Sequence, residues 1–205
     1  PIALGQARAE TRRMAQLALE MTDETVSYLF VPDEKKIANL EKKEEMVDLL
    51  QKEITDFLVA LSQKSISQQT SKDIASLMHM VNDLERIGDH CENLWQLCQR
   101  KVEQKIAFSD VAQREISELS VLASDFLERI NLALEEKDAT IFAEAGRLED
   151  AIDRLEASLR DNHIQRLNTG ECSVNSGLIF IDMLHNFEKI GDHSFNLAEA
   201  IVGKK

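Results

Sequence analysis

Two stretches of the sequence carry nearly the same chemical groups in the same order. Residues 82–94 read NDLERIGDHCENL, and residues 185–197 read HNFEKIGDHSFNL. Glu85 and Asp89 in the first stretch correspond to Glu188 and Asp192 in the second, 103 residues later. Packing in a protein core explains why apolar positions repeat, but it gives no reason for acids to repeat. The duplicated acids therefore indicate a functional site.

A second set of acids repeats with a shift of 108 residues. This shift aligns LEKKEEMVD, which begins at Leu40, with LEDAIDRLE, which begins at Leu148. Glu41 and Glu45 then correspond to Glu149 and Asp153. If these acids face those of the first set, at least four carboxylates converge, and such a cluster repels itself unless protons or cations neutralise it.

Carboxylate oxygens suit hard cations such as Mg²⁺, Mn²⁺ and Ca²⁺, and bridging carboxylates also suit iron. The sequence thus predicts metal ligands at Glu41, Glu45, Glu85, Asp89, Glu149, Asp153, Glu188 and Asp192. The alternative is a solvated acidic surface in which basic neighbours pair locally with the acids. Those neighbours are Lys42, Lys43, Arg86 and Lys189.

The histidines beside the acids have a different predicted place. His90 and His193 directly follow the two aspartates, but a helix turns by about 100° per residue, which carries both away from the acidic edge. We expect them beside the site, between the two halves or on the surface rather than among the ligands. His185 is better placed, three residues before Glu188, although its counterpart in the first stretch is Asn82.

The elements that position these residues are predicted to be long helices. Glycine and proline are scarce, with 7 and 2 in 205 residues, and apolar residues recur at steps of three and four. The predicted helices span 7–30, 34–64, 70–98, 109–136, 139–167 and 173–202. This is an all-α fold of two pseudo-symmetric antiparallel three-helix bundles, residues 1–104 and 105–205.

Local signals predict where these helices begin and end. Asp33, which follows a proline, can cap the second helix, and Thr70 can open the third as part of a capping box. Ser109 and Asp138 are the predicted caps of the fourth and fifth helices. Gly170 is predicted to close the fifth.

Composition excludes several classes of function. The formal charge is −13 and the sequence has no cluster of Lys and Arg, which argues against a nucleic-acid partner. No apolar run approaches 18 residues, so no membrane span is predicted. Three cysteines make a disulfide framework improbable and favour reduced thiols in a cytosolic protein. Motifs for nucleophilic catalysis, phosphate loops and zinc sites are absent, so no catalytic residue and no enzyme activity are predicted.

The two repeated stretches resemble the signature of the PhoU family, which regulates phosphate uptake. The resemblance covers the whole chain and implies two three-helix bundles whose acidic motifs on the second and third helices bind iron, zinc or other metals. Carried over, these motifs are Glu41, Glu45, Glu85 and Asp89, with Glu149, Asp153, Glu188 and Asp192 in the second repeat. Asp150 departs from the family pattern, because a basic residue is expected there.

The opening segment, PIALGQARAETRRMAQLALEM, resembles the region that follows the membrane domain in bacterial sodium/phosphate cotransporters, and a start at Pro1 rather than Met fits a fragment. This resemblance implies a regulatory cytosolic domain at the inner face of the membrane, with the transport domain of the same polypeptide as partner. Phosphate and further copies of the chain are other expected partners. The alternatives are a separate PhoU-type regulator of an ATP-driven phosphate transporter, and a helical dimerisation module without a ligand.

Overall fold

Six helices account for nearly all of the described chain. The computed structural model describes residues 2–136 and 138–204, and within these ranges it contains no β-strand. The helices are α1 (Ile2–Phe30), α2 (Glu34–Ser62), α3 (Gln68–Glu103), α4 (Asp110–Glu136), α5 (Ile141–Asn168) and α6 (Val174–Ile201). None of these helices has the length and hydrophobicity that would let it cross a membrane. The outer ends of the two predicted repeats, residues 1 and 205, lie outside the described ranges.

The helices form two sets of three that share one core. Helices α1, α2 and α3 pack against one another, as do α4, α5 and α6, and we call these sets the first and second repeat. The repeats meet where α3 packs against α6 and α1 against α4. Leu84 of α3 and Phe187 of α6 are both fully buried in the shared core. The predicted helical-bundle fold is confirmed.

The two repeats superpose along the sequence with helix-specific shifts. Buried positions of α1 recur in α4 after 105 residues, as in the pairs Thr11 and Ile116, Met14 and Leu119, Ala18 and Ala123, and Met21 and Phe126. Buried positions of α3 recur in α6 after 103 residues, as in Met80 and Met183, Leu84 and Phe187, and Gly88 and Gly191. These shifts define which residues of the two repeats are structural counterparts.

Several helix ends follow the predicted signals, and two do not. The Asp33 side chain accepts a hydrogen bond from the Lys35 amide at 2.9 Å, as expected of an N-cap. Ser109 caps α4 by accepting from the Ala112 amide, and Gly170 closes α5 with a φ of 74°. Thr70 was the wrong cap for α3.

Ser67 caps α3 instead, because its hydroxyl accepts from the amide of Thr70, one turn inside the helix. Asp138 was the wrong cap for α5, which begins after Thr140. The Asp138 carboxylate binds the amide of Thr140 and thereby fixes the preceding turn. The buried cysteines, Cys91 and Cys98, are free thiols as predicted.

Candidate metal sites

Each repeat has one place where its last two helices cross with little between them. In the first repeat, a Cβ added to Gly88 of α3 would lie 3.5 Å from Cγ1 of Val47 in α2. In the second, a Cβ added to Gly191 of α6 would lie 2.9 Å from Cδ1 of Ile152 in α5. The missing side chain lets the helices approach closely and brings their flanking residues together.

Acids flank these crossings at the same helical positions on all four helices. A Glu lies three residues before the crossing residue and an Asp lies one residue after it, so both carboxylates emerge on the same side of the contact. In the first repeat these are Glu44, Asp48, Glu85 and Asp89, which we call cluster 1. In the second they are Glu149, Asp153, Glu188 and Asp192, which we call cluster 2.

Three carboxylates of cluster 2 lie close enough to share one cation. Glu149, Asp153 and Asp192 each offer an oxygen, and these oxygens all lie within 4.8 Å of one another. Oxygen ligands bind Mg²⁺ or Ca²⁺ at roughly 2.0–2.6 Å, so two ligands of one ion are separated by at most about 5 Å. Among the described residues, this is the one group of three potential ligands with such spacing.

The electrostatics of cluster 2 show that its negative charges are held together. Partial burial raises the pKa of Glu149, and the charge of Asp153 raises it further. Partial burial followed by the charge of Asp192 raises the pKa of Asp153. Glu188 lies at the edge of the group, and its pKa is raised mainly by burial although Lys189 opposes the shift. A cation at this place would remove the repulsion among the carboxylates.

Cluster 1 holds the most strongly perturbed acid. Burial raises the pKa of Glu44 to about 7, and the charges of Asp48, Glu92 and Asp89 add to the effect. The pKa of Glu85 is raised by burial and by the charge of Asp89. Five acids therefore act on one another where α2 and α3 cross.

Two of the predicted ligands lie on the wrong face of α2. Glu41 and Glu45 are exposed, and Glu45 lies two residues before the crossing residue Val47, which turns it to the opposite side of the helix. Glu44 and Asp48 occupy the corresponding edge instead. The error has a simple origin: the shift of 108 residues between α2 and α5 is one helical turn too long, and the shift that superposes Val47 on Ile152 is 105.

The sequence contained a signal that would have found the right pair. The spacing Glu-x-x-x-Asp occurs four times, at 44–48, 85–89, 149–153 and 188–192, which are the four pairs at the two crossings. The remaining predicted residues, Glu85, Asp89, Glu149, Asp153, Glu188 and Asp192, lie at the crossings as expected. Whether these groups bind metal remains a prediction.

The histidines lie at the contact between the repeats. The rings of His90 and His193 stack with centroids 5.5 Å apart. His90 Nδ1 lies 2.9 Å from Asn186 Oδ1 of α6, and His193 Nδ1 lies 2.8 Å from Asp83 Oδ1 of α3. Each histidine thus follows an acid of its own cluster and hydrogen-bonds to the other repeat.

Comparison with known proteins agrees with this architecture of two equivalent three-helix units with paired acids. The sequence model of the PhoU domain matches residues 11–97 and matches again at residues 116–201. The chain belongs to the PhoU family.

Relatives with curated names are distant in sequence but similar in length. The chain is 24% identical over 197 residues to phosphate-specific transport system accessory protein PhoU homolog 1 of Thermotoga maritima, covering 95% of this chain and 84% of that protein. It is 23% identical over 201 residues to the PhoU homolog of Clostridium acetobutylicum, covering 97% and 90%.

Solved structures show the same fold. The crystal structure of PhoU from Pseudomonas aeruginosa superposes with a TM-score of 0.91 at 19% identity, covering 98% of this chain and 96% of that one. The phosphate transport system regulatory protein PhoU of Streptococcus pneumoniae superposes with a TM-score of 0.84, also at 19% identity, covering 98% and 94%.

Proposed function

We propose that this protein is a metal-binding regulator of phosphate transport. Membership of the PhoU family supports the regulatory role, because the curated relatives are accessory proteins of phosphate-specific transport systems. The observation that carries the metal-binding part is the meeting of two Glu-x-x-x-Asp pairs at each crossing, where partial burial and mutual repulsion raise carboxylate pKa values. The proposed role is regulatory, without catalysis.

The relatives favour one of the two expected arrangements of regulator and transporter. The chain covers 84% and 90% of two accessory proteins that carry the PhoU name. This supports a regulator that acts on a separate transport complex better than it supports the domain of a sodium/phosphate cotransporter, which was the leading expectation from the opening segment. In either arrangement the proposed place of action is the cytoplasmic face of the membrane.

The donor groups fit hard cations. All the ligands proposed in cluster 2 are carboxylates, and the 4.8 Å spacing of three of their oxygens suits one ion or a small group of bridged ions. Manganese, magnesium, calcium, iron and zinc are the candidates. A cation held by carboxylates can keep coordination positions for other oxygen ligands, so a bound metal would also let phosphate approach a surface whose own charge repels it.

A comparison of two fourfold variants tests the metal sites. The first replaces Glu85, Asp89, Glu188 and Asp192 by alanine. The matched control replaces four exposed acids of α2 by alanine: Glu41, Glu45, Glu53 and Asp56. Elemental analysis after mild purification, with Mn²⁺, Ca²⁺, Zn²⁺ and Fe titrations, should show uptake by wild type and control. Equal uptake by the first variant would refute the sites.

The regulatory role needs a separate measurement in cells. Phosphate uptake should lose its dependence on external phosphate in a strain that lacks this chain, and the wild-type protein should restore that dependence. Uptake that responds normally without the chain would refute the regulatory role and leave the helical dimerisation module as the better hypothesis. We also propose a homo-oligomer; a mass of 23.2 kDa by light scattering, with and without metal, would contradict it.

A further inference from the structure

Two grooves lie at opposite ends of the contact between the repeats, and they are structural counterparts. Groove A has a volume of about 760 Å³, and groove B has a volume of about 280 Å³. Their lining residues correspond through the shifts of 105 and 103 residues: Arg8 and Gln113, Thr11 and Ile116, Met80 and Met183, Leu134 and Leu29, and Lys204 and Lys101. The same pair of helix contacts builds both grooves.

Groove B contains a segment of the chain itself. The linker between α3 and α4 runs through it in a non-helical conformation at residues 106–109. The ring of Phe108 is buried with its edge against Phe180, at 6.0 Å between centroids. Lys101 Nζ lies 5.1 Å from the centre of the Phe108 ring, and Gln113 Nε2 donates a hydrogen bond to the Phe108 carbonyl at 3.1 Å. Groove B therefore shows how this surface binds an extended peptide.

Groove A has no such segment among the residues that the structure describes. The counterpart of Ala107 is Ile2, which already belongs to α1. The space therefore remains open, and its volume lies within the range of roughly 300–1,000 Å³ that is typical of ligand sites. Leu77, the counterpart of Phe180, lies on its apolar floor.

The two grooves differ most in charge. Groove A contains Arg8, Arg12, Lys72 and Lys204, with Asp73 as its acidic member. At three of these four basic positions the counterpart is neutral: Gln113, Ser117 and Asn175. Arg8 pairs with Asp73 at 2.6 Å, whereas Arg12 and Lys72 form no ion pair with any described residue. A basic groove on a chain of net charge −13 favours an acidic ligand.

We propose that groove A binds an extended acidic peptide segment of a partner protein. An apolar side chain of that segment occupies the position that Phe108 takes in groove B, and its acids pair with Arg12 and Lys72. Lys204 and Arg8 take the places of Lys101 and Gln113. This docking surface requires no bound metal, and it gives the proposed regulator a contact for a partner at the end of the molecule.

Fluorescence polarisation with a labelled peptide tests the proposal on the full chain. The peptide EDIAFSD retains residues 106–110 of the linker and places two acids before them. Wild-type protein should bind it, and the double variant Arg12→Gln/Lys72→Gln should bind it at least about tenfold more weakly, since each lost ion pair with a charged partner costs affinity. Ala75→Trp, which fills the groove from an exposed lining position, should abolish binding.

Matched controls separate docking from general attraction. Arg13→Gln removes an exposed arginine beside Arg12 that does not line the groove, and it should change affinity less than about twofold. The peptide EDAAASD, without the two large apolar side chains, and the uncharged peptide QNIAFSN should both bind at least about tenfold more weakly. Circular dichroism should show that all variants are folded.

Three results would overturn the proposal. The first is unchanged affinity of the double variant or of Ala75→Trp. The second is equal binding of EDAAASD, or complete competition by inorganic phosphate at concentrations that do not alter ionic strength, because either would reduce groove A to an anion patch. The third is a dimer in sedimentation velocity that Ala75→Trp dissociates, because a second copy would then be the occupant.

Discussion

The equivalent acids of clusters 1 and 2 have different basic neighbours. In cluster 2, Lys189 Nζ lies 3.1 Å from Glu188 Oε1 and 2.6 Å from Asp192 Oδ2, so one partly buried ammonium holds two carboxylates. In cluster 1, Arg86 Nη1 lies 3.1 Å from Asp89 Oδ2, but its side chain is 61% exposed. Glu44 and Glu92 are farther from any described ion pair.

This difference shows that a duplicated motif need not give duplicated electrostatics. Cluster 1 retains more uncompensated negative charge, which is why its most perturbed acid has a pKa of about 7. Cluster 2 carries an internal cation that a metal ion has to displace. We therefore expect cluster 1 to bind cations more tightly than cluster 2.

The largest predicted effect tests the corrected register of α2. Glu44→Gln/Asp48→Asn should weaken Mn²⁺ binding to cluster 1 by at least about 100-fold, since it removes two charged ligands rather than an outer partner. Glu41→Gln/Glu45→Gln should change affinity less than about twofold, because both residues are exposed and face away. Calorimetry in a Glu188→Ala/Asp192→Ala background isolates cluster 1. The reverse ranking would restore the 108-residue alignment.

The next prediction concerns the basic residues that distinguish the clusters. Lys189→Met should strengthen metal binding at cluster 2 by about tenfold, because the ion no longer competes with an ammonium between two carboxylates. Arg86→Met should strengthen binding at cluster 1 by no more than about threefold, since exposed ion pairs contribute little. Titrations of each variant in a background with only the relevant cluster provide the measurement. Equal gains would mean that the two cations are equivalent.

The helix crossings themselves should respond differently to an added methyl group. Gly88→Ala makes ordinary contacts and gains up to about 1 kcal/mol of helix propensity, so we expect slight stabilisation. Gly191→Ala places Cβ 2.9 Å from Cδ1 and 3.2 Å from Cγ2 of Ile152, and overpacking of this kind costs about 1–3 kcal/mol. Net destabilisation by about 1 kcal/mol should appear in urea unfolding without metal. Matching shifts at both sites would contradict the difference in helix spacing.

Most of the fold was readable from sequence because it depends on periodicity. Apolar steps of three and four determine the helices, and local caps such as Asp33 and Gly170 determine several of their ends. The cap at Ser67 was missed because Thr70 presents an equally good local signal, and only the hydrogen bond between them identifies the first residue of the helix.

The site was predicted correctly on α3, α5 and α6 and wrongly on α2. The residues of α2 contain acids at 41, 44, 45 and 48, so that two pairs with a spacing of four are available. Choosing between them requires knowing that Val47 contacts Gly88, which is a tertiary contact. The interaction of Asp83 with His193 and the groove occupied by Phe108 depend on packing between the repeats, and no local pattern announces them.

The pH dependence of stability should reveal the uncompensated charge of cluster 1. Below about pH 4.5 Glu44 is protonated in the folded and unfolded states, but between 4.5 and about 7 only the unfolded chain releases the proton. Stability of the metal-free protein should therefore fall as pH rises through this window. Glu44→Gln should remove part of the loss, by about 1 kcal/mol at pH 8 because the side chain is partly solvated.

Urea unfolding at pH 5 and pH 8 in the presence of a chelator gives the comparison for Glu44→Gln. Asp150→Asn is a suitable control, since it removes an exposed acid near the other cluster. Added Mn²⁺ should restore wild-type stability at pH 8, because the ion favours the ionised carboxylates. A variant that follows the same pH curve as wild type would show that Glu44 is not the controlling group.

The smallest effect is expected at the remaining position where the clusters differ, His185. Its Nδ1 lies 3.7 Å from Glu188 Oε2, too far for a hydrogen bond, and its side chain is 53% exposed. The first repeat already carries Asn82 at this position, where the amide oxygen accepts a hydrogen bond from Gln51 at 3.3 Å. His185→Asn should therefore change Mn²⁺ affinity at cluster 2 by less than about twofold, whereas Glu188→Gln removes a ligand charge and should cost far more. A titration of both variants between pH 6 and pH 8 makes the comparison; a loss for His185→Asn as large as that for Glu188→Gln would place the imidazole among the metal ligands and make the two clusters chemically different sites.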